Sequence, residues 1–545
     1  MQFIPQLFTT LKQGYTLNDC RRDAIAGLTV AIVSLPLAMA LAIASGFTPE
    51  KGLITAVIAG FLISVLGGSR VQIGGPTGAF VVIVFNGVAQ YGYDGMLVAT
   101  FIAGIMLIIA GYARFGQVIK YIPHPVITGF TAGIAVIIAT SQVKDFLGLK
   151  VDKIPGDFLP KWGAYIGHFH TIQIPTLLIG LSALILIFAM RRFTPKLPNY
   201  LIAVGLAGIA VYVFQIPTET IGSRFPTIAS GFVMPSMPAI SLAKIHEVMP
   251  LAFTVAFLAG IESLLSAVVA DGMTGFKHRS NQELVAQGVA NIASTLFGGL
   301  PATGAIARTA TNVKSGGRTP VAGVFNAIFI AIFMLFAMDY MSFVPMAALA
   351  AILFVVAWGM SEVHQFIHIF SLSKTDRVVL LLTFGLTVLV DLTVAIAVGV
   401  IVASLIFIRE MSKSVAMSNQ AEDLGEEEEI QRQKLPKGVE VFRIAGPVFF
   451  AVASDLIDTM KAVGQVPKIL IIRMSLVPFI DGTGVTTIAN LIKDFNKQHT
   501  KIILSGVQKQ PLEFLERAGI KLGMKDVSFA ENYDQAVQLA LTQLN

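Results

Sequence analysis

From residue 24 to residue 408 the chain alternates long apolar blocks with short polar or charged joints. The blocks fall near 24–44, 52–67, 76–90, 96–112, 125–143, 172–190, 199–215, 249–270, 284–297, 304–313, 320–337, 345–360, 378–390 and 392–408. The longer ones match the roughly 20 residues that a helix needs to cross a bilayer, and several others are too short to cross as complete helices. The pattern predicts a polytopic α-helical membrane protein of about fourteen segments. After Arg409 it changes. Residues 411–437 read as a polar linker with an acidic run, Glu426 to Glu429, whose default is a solvated spacer. From 438 to 545 strands alternate with helices: strands "VEVFRI", "KILIIRM" and "KIILSG", and helices near 453–463, 484–497, 510–518 and 532–544. That alternation predicts a small layered α/β domain.

Two short phrases break the apolar pattern. Residues 74–80 read "GGPTGAF" and residues 298–306 read "GGLPATGAI". Aligned on Thr77 and Thr303 they lie 226 positions apart, and the same offset carries Pro36 in the first block onto Glu262 in the eighth. The chain then divides into two halves of about seven segments, about 22–215 and 249–409. An odd number of crossings per half inverts the second relative to the first. Inverted repeats with broken helices at corresponding positions point to a transporter's substrate site. A helix that begins in mid-membrane exposes its first N–H groups and the positive end of its dipole, which suits an anion. The candidate binding residues are Thr77, Gly78, Ala79 and Phe80 on one side and Thr303, Gly304, Ala305 and Ile306 on the other. The stretch "VQI", 71–73, reads as the extended segment that leads into the first break.

Composition narrows the class. Mean hydropathy is +0.74 and only 13% of residues are charged, against about 25% in soluble domains. The N-terminus is too polar, and its first block too long, for a cleaved signal peptide. The single cysteine, Cys20, excludes an intramolecular disulfide or a multi-cysteine metal site. Lys and Arg gather in the joints of one side, among them Arg21, Arg22, Arg114, Lys120, Arg191, Arg192, Lys196, Arg279 and Arg377. This places that side and both termini in the cytoplasm, and assigns the basic pI to topology rather than to nucleic acid.

Three charged positions inside the blocks carry candidate chemistry. Glu262 lies deep in "FTVAFLAGIESLLSAVV", with Ser266 one turn on along the same face. An intramembrane carboxylate reads as functional, here as a proton carrier or coupling-cation ligand. Arg308 follows Gly304 by one turn and would add a full positive charge. His364 and His368 are spaced i, i+4 but lack a third ligand, and no Walker loop is present, so neither a metal site nor an ATP-driven pump is expected.

The motifs "SLPLAMALAIASG", "GGPTGAF", "GIESLLSAVVADGMTGFKHRSNQELVAQGVANI" and "GGLPATGAIARTATNV" resemble the SulP anion transporters over essentially the whole chain. The tail motif "FIDGTGVTTIANLI" resembles a STAS domain. The resemblance implies a UraA-type 7+7 inverted repeat in residues 1–410, with a core moving against a gate, and a cytoplasmic STAS domain in 438–545. It implies substrate between the amino ends of the third and tenth helices, Glu262 and Arg308 beside it, a dimer, a bacterial inner-membrane location, and no enzymatic activity or cofactor. In the STAS loop, Asp481 and Thr483 occupy the regulatory positions, with Thr where the usual phosphorylated residue is Ser. The 260–292 stretch and "QVKDFLGL" look closest to the C4-dicarboxylate branch, whereas Leu37 stands where many members have Gln and looks more like the bicarbonate carriers. The expected function is H⁺-coupled dicarboxylate uptake. The alternatives are a sulfate or bicarbonate carrier (H⁺ or Na⁺ coupled), an uncoupled anion channel, or a membrane-anchored regulator with the STAS domain as its output, which could bind a cytoplasmic partner.

Overall fold

The computed structural model describes residues 3–117, 123–151, 154–194, 197–226, 231, 234–413, 415–418, 435–461, 466–521 and 527–544. The chain forms two compact units, Met1–Ile401 and Val402–Asn545. The last helix of the membrane part runs across that division, which lies a few residues before the expected boundary at 410.

The first unit opens with a short helix, α1 (Gln6–Lys12), then α2 (Leu17–Ala44) and α3 (Pro49–Leu66). An extended stretch carries the two-residue strand β1 (Gly74–Gly75) into α4 (Gly78–Tyr112). The blocks expected as two separate segments, 76–90 and 96–112, are joined in α4, which bends at Gly92 where φ is +73°. Helix α5 (His124–Leu147), the short α6 (Phe158–Gly167), α7 (Ile174–Phe193) and α8 (Asn199–Phe214) complete the first half. A single turn, α9 (Ile221–Arg224), lies in the loop between halves. The second half has α10 (Leu242–Thr274), α11 (Ser280–Leu296), strand β2 (Thr303–Gly304), α12 (Ile306–Lys314), α13 (Val321–Phe336), α14 (Met346–Met360), α15 (Val363–Ser371), α16 (Lys374–Leu389) and α17 (Leu392–Lys413). With α4 taken as two arms, each half supplies seven main segments, and the third of each starts from a two-residue strand. Helix α6, inside the expected 144–170 loop, is an addition to the sequence reading.

Local signals account for the helix ends. Thr16 and Asp19 form a reciprocal capping box at the start of α2, and Ser241 and Ser373 cap α10 and α16. Proline opens α3, α5 and α7 in the first turn, where its missing N–H costs nothing. Left-handed Gly148 and Gly275 close α5 and α10.

Helices α2, α3 and α4 pack on α10 to α13, while α5 packs on α14 and α16, and α7 on α14. Small residues allow the closest crossing. A Cβ on Gly104 of α4 would sit 2.7 Å from the Gly288 carbonyl oxygen of α11, and one on Gly288 would sit 2.5 Å from that of Gly104. Backbone-to-backbone packing of this kind is how membrane helices gain van der Waals contact without a hydrophobic driving force.

In the second unit a five-stranded sheet has the order β3 (Ala416–Ser418), β4 (Val439–Ala445), β5 (Ile469–Leu476), β6 (Lys501–Ser505) and β7 (Val527–Ala530). Strand β3 is antiparallel to β4, and the remaining pairs are parallel. The near-continuous apolar run of β5 fits a strand covered on both faces. Helices α18 (Ala453–Lys461), α19 (Gly482–Lys497), α20 (Lys509–Arg517) and α21 (Tyr533–Leu544) supply that cover. Strand β3 lies within the segment read as linker, and corrects that reading: 416–418 is an edge strand. The acidic run Glu426 to Glu429 lies outside the described residues, as do Lys120 and Lys196.

Gly288→Val should overpack the α4–α11 crossing and cost on the order of 1–3 kcal/mol. A lowered thermal midpoint of the purified protein would show it, and an unchanged midpoint would mean that the two backbones are not in contact.

Candidate anion site

The two broken phrases meet. Strands β1 and β2 pair antiparallel, Gly74 opposite Gly304 and Gly75 opposite Thr303, as an inverted repeat requires. The approach to this ladder, Val71 to Ile73, is buried without being helical, so each backbone group needs a partner. The Ala305 amide donates to the Ile73 carbonyl (2.8 Å), the Thr309 hydroxyl accepts from the Ile73 amide (3.0 Å), and Asn312 Nδ2 donates to the Val71 carbonyl (2.8 Å).

Helices α4 and α12 start at this ladder, behind Thr77 and Ala305. Neither residue makes a side-chain cap, so the first N–H groups of both helices are open to a ligand. A cavity of about 350 Å³ lies against these ends. Thr77, Gly78, Ala79, Ala305, Ile306, Arg308 and Glu262 line it, together with Leu37 from α2 and apolar residues of α5 and α14. It runs on to Arg191 and Tyr200, which hydrogen-bond to each other at the joined ends of α7 and α8.

Arg308 is 2% exposed, and among the described residues neither of its terminal nitrogens, Nη1 and Nη2, has a hydrogen-bond partner. A buried guanidinium with unpaired donors is costly, and an anion would satisfy it. Gly75 makes room for it: φ there is +150°, and a Cβ would lie 2.3 Å from Arg308 Nη1. Glu262 stands beside the first helix end, where its Oε2 accepts from the Thr77 hydroxyl at 2.7 Å.

Four expected residues lie outside the cavity lining. The Thr303 hydroxyl is turned away and donates to the Ala259 carbonyl (2.8 Å), and Thr303 and Gly304 are spent on the β-ladder. Ser266 is fully buried against Thr309, at 3.3 Å between hydroxyls. Phe80 is buried in the helix packing.

One residue of structural weight was not anticipated. Glu283 of α11 is fully buried and takes five donors. Its Oε2 accepts from the Gly68 and Ser69 amides (2.8 and 3.2 Å), and its Oε1 from Gln72 Nε2 (3.1 Å), Ser263 Oγ (3.0 Å) and Gln287 Nε2 (2.8 Å). This carboxylate ties α10 and α11 to the segment that leads into β1. The signal was present as Glu283, Gln287 and Asn291, a polar stripe at helical spacing.

In the second unit, Asp481 caps α19: one carboxylate oxygen accepts from the Gly484 amide (2.7 Å) and the other from the Phe450 amide (3.1 Å). Thr483 is exposed in the first turn of that helix.

Comparison with known proteins identifies the family and the fold. Residues 20–383 match the sulfate permease family and residues 433–536 match the STAS domain. The chain is 40% identical to "Putative sulfate transporter YvdB" of Bacillus subtilis, over 96% of this chain and 98% of that protein. It is 31% identical to the bicarbonate transporter BicA of Picosynechococcus, over 92% and 91%. The fold of the murine anion transporter Slc26a9 in its inward-facing state superposes with a TM-score of 0.88 at 19% identity, covering 99% of this chain and 94% of that one. The transmembrane domain of a cyanobacterial BicA gives 0.63 at 28% identity, covering 72% and 98%. The molecule is thus a multi-pass membrane anion transporter with a UraA-like repeat fold, and not an enzyme. The chain belongs to the sulfate permease family, with a C-terminal STAS domain. The relatives described here carry sulfate and bicarbonate names, and the expected closeness to the C4-dicarboxylate branch finds no support in them.

Gly75→Ala should displace the Arg308 guanidinium and weaken anion binding about tenfold or more, a loss of about 1.4 kcal/mol or above. Calorimetry on folded protein that returns the parent affinity would separate Gly75 from the site.

Proposed function

We propose that the membrane unit is a secondary active, proton-coupled carrier of a small inorganic oxyanion, sulfate first, in a bacterial plasma membrane. The observation that carries this reading is the buried Arg308, with both terminal nitrogens unpartnered, where two uncapped helix ends meet. Each helix end contributes roughly half a positive charge. With Arg308 the cradle then holds about two positive charges when Glu262 is protonated and about one when it is ionised. A dianion is matched by the protonated state. Binding sulfate therefore favours a proton on Glu262, and sulfate and proton travel together. Thr77 joins the two events, since its hydroxyl donates to Glu262 from the residue that precedes α4.

Bicarbonate is the second reading. Leu37 lines the cavity and removes a polar partner there, and a monoanion matches the cradle with Glu262 ionised. C4-dicarboxylates come third, because a second carboxylate needs a second open cation. Among the described residues Arg191, the other arginine of the lining, is bonded to Tyr200.

The cavity reaches the ends of α7 and α8 that carry Arg191 and Arg192, a side assigned to the cytoplasm by its positive charge. The arrangement is thus the inward-open stage of alternating access, with both termini cytoplasmic. A homodimer and a regulatory STAS domain, with Thr483 as an accessible modification position, complete the proposal. The units 1–410 and 438–545 would divide transport from regulation, so a STAS-deleted variant should keep its anion preference.

In proteoliposomes, labelled sulfate should accumulate uphill when the outside is acidic, and bicarbonate should compete better than succinate. Glu262→Gln should still bind and exchange sulfate but lose the drive from the pH gradient. Arg308→Ala should lose roughly 10- to 100-fold in affinity, the worth of a charge-assisted bond. Gradient-driven uptake by the Glu262→Gln variant would overturn the coupling role, and succinate outcompeting both inorganic anions would overturn the substrate assignment.

A further inference from the structure

A second cavity, of about 160 Å³, lies further along the same two helices. Helix α4 lines the mid-membrane site with Gly78 and Ala79 and the second cavity with Val81, Val82, Phe85 and Asn86. Helix α5 likewise lines the first with Val126 to Ile134 and the second with Ile137 to Asp145. No lining residue is shared. Seven residues separate Gly78 from Phe85, a rise of about 10 Å. The two cavities therefore stand in series, the second on the side away from Arg191 and Tyr200.

The lid of this outer cavity is α6, which presents Lys161 and Tyr165 one turn apart. Lys161 is 5% exposed, and among the described residues its ammonium makes no hydrogen bond or ion pair. Its one polar engagement is with the Phe85 ring, 5.6 Å from the centroid. Burial pulls its pKa below the ordinary lysine value, with Asp157 opposing. Tyr165 is fully buried, and its hydroxyl has no partner among the described residues. Burial, with Asp145 nearby, raises its pKa and keeps it a neutral donor. The other charged lining groups are already committed. Lys144 Nζ donates to the Val151 carbonyl (2.8 Å), and Arg224 Nη2 bonds Asp145 (2.7 Å) and Glu219 (2.5 Å). Asn86 is exposed and gives the cavity a way out.

We infer that this cavity is a second binding site for a small oxyanion, held by Lys161 and Tyr165. The Tyr165 hydroxyl is buried without an acceptor and the Lys161 ammonium has no hydrogen-bond partner among the described residues; both residues line one cavity, and an oxyanion satisfies both at once. Under the orientation proposed above, the site lies on the outer side of the route and captures the anion before it reaches Arg308. Binding there also competes with the contact of Lys161 on Phe85, which links α6 to α4.

Tryptophan gives a local readout. The chain has two, Trp162 and Trp358, and the Trp162 ring lies 6.1 Å from that of Tyr165. In full-length Trp358→Phe protein, sulfate titrated at constant ionic strength should change Trp162 emission saturably. The change should persist in an Arg308→Ala background, so that failure of the mid-membrane site does not affect it. Lys161→Met should abolish it, Tyr165→Phe should weaken it about tenfold, and Lys161→Arg should restore part of it. Lys161→Met removes a buried unpaired charge and keeps the stem, so a retained thermal midpoint checks its folding. The inference is overturned if no sulfate concentration gives a saturable change, if the change survives Lys161→Met, or if it vanishes with Arg308→Ala alone.

Discussion

A backbone that leaves the helix inside a bilayer must find a partner for every exposed amide and carbonyl, because no water is there to supply one. This chain meets much of that requirement with its own second half. Residues 71 to 75 pair with β2, with the Thr309 hydroxyl and with the Asn312 amide, and Glu283 gathers the turn that precedes them. The break thereby becomes rigid. Two helices can begin at the ladder with their dipoles converging, and Arg308 can lie buried beside them with its terminal nitrogens unpartnered among the described residues.

Satisfaction and dissatisfaction are thus divided between neighbouring residues. The Thr303 hydroxyl, Gln72, Ser263 and Glu283 are consumed in holding the frame, so they cannot greet a substrate. The donors left over, from the α4 and α12 ends and from Arg308, define the cradle. A polar residue near the break is functional or structural according to which of these sets it joins. Thr77 and Thr303, aligned by the two phrases, take different places and fall on opposite sides of that line: Thr77 precedes α4 and bonds Glu262 in the cavity, whereas Thr303 lies in β2 and bonds the α10 backbone.

The fold was legible in the chain because its main signals are long and local. Apolar blocks, caps and the duplicated glycine-proline phrase lie within single stretches of sequence. Glu262 and Arg308 were legible because a charge inside an apolar block is conspicuous. The orientation of Thr303 was not, since it depends on the α10 carbonyl 44 positions away in sequence. Glu283 stands just outside the 284–297 block, where a charge is ordinary and draws no attention, although the structure buries it completely. Helix α6 was hidden because ten mixed residues in a loop give no length signal, and β3 because three residues do not announce a strand. The substrate is the least legible feature: on the proposed reading it turns on the charge of a single carboxylate and on one apolar residue, Leu37, in the lining.

The central claim is that an oxyanion sits between the first turns of α4 and α12 and completes the hydrogen bonding of Arg308. A structure of the protein soaked or grown with selenate, located by its anomalous scattering, tests this directly. The account predicts one selenium peak in the mid-membrane cavity, within hydrogen-bonding reach of the Arg308 guanidinium and of the amides behind Thr77 and Ala305. A mid-membrane cavity that stays empty at saturating selenate, or an Arg308 whose nitrogens turn to protein carbonyls instead, would contradict it.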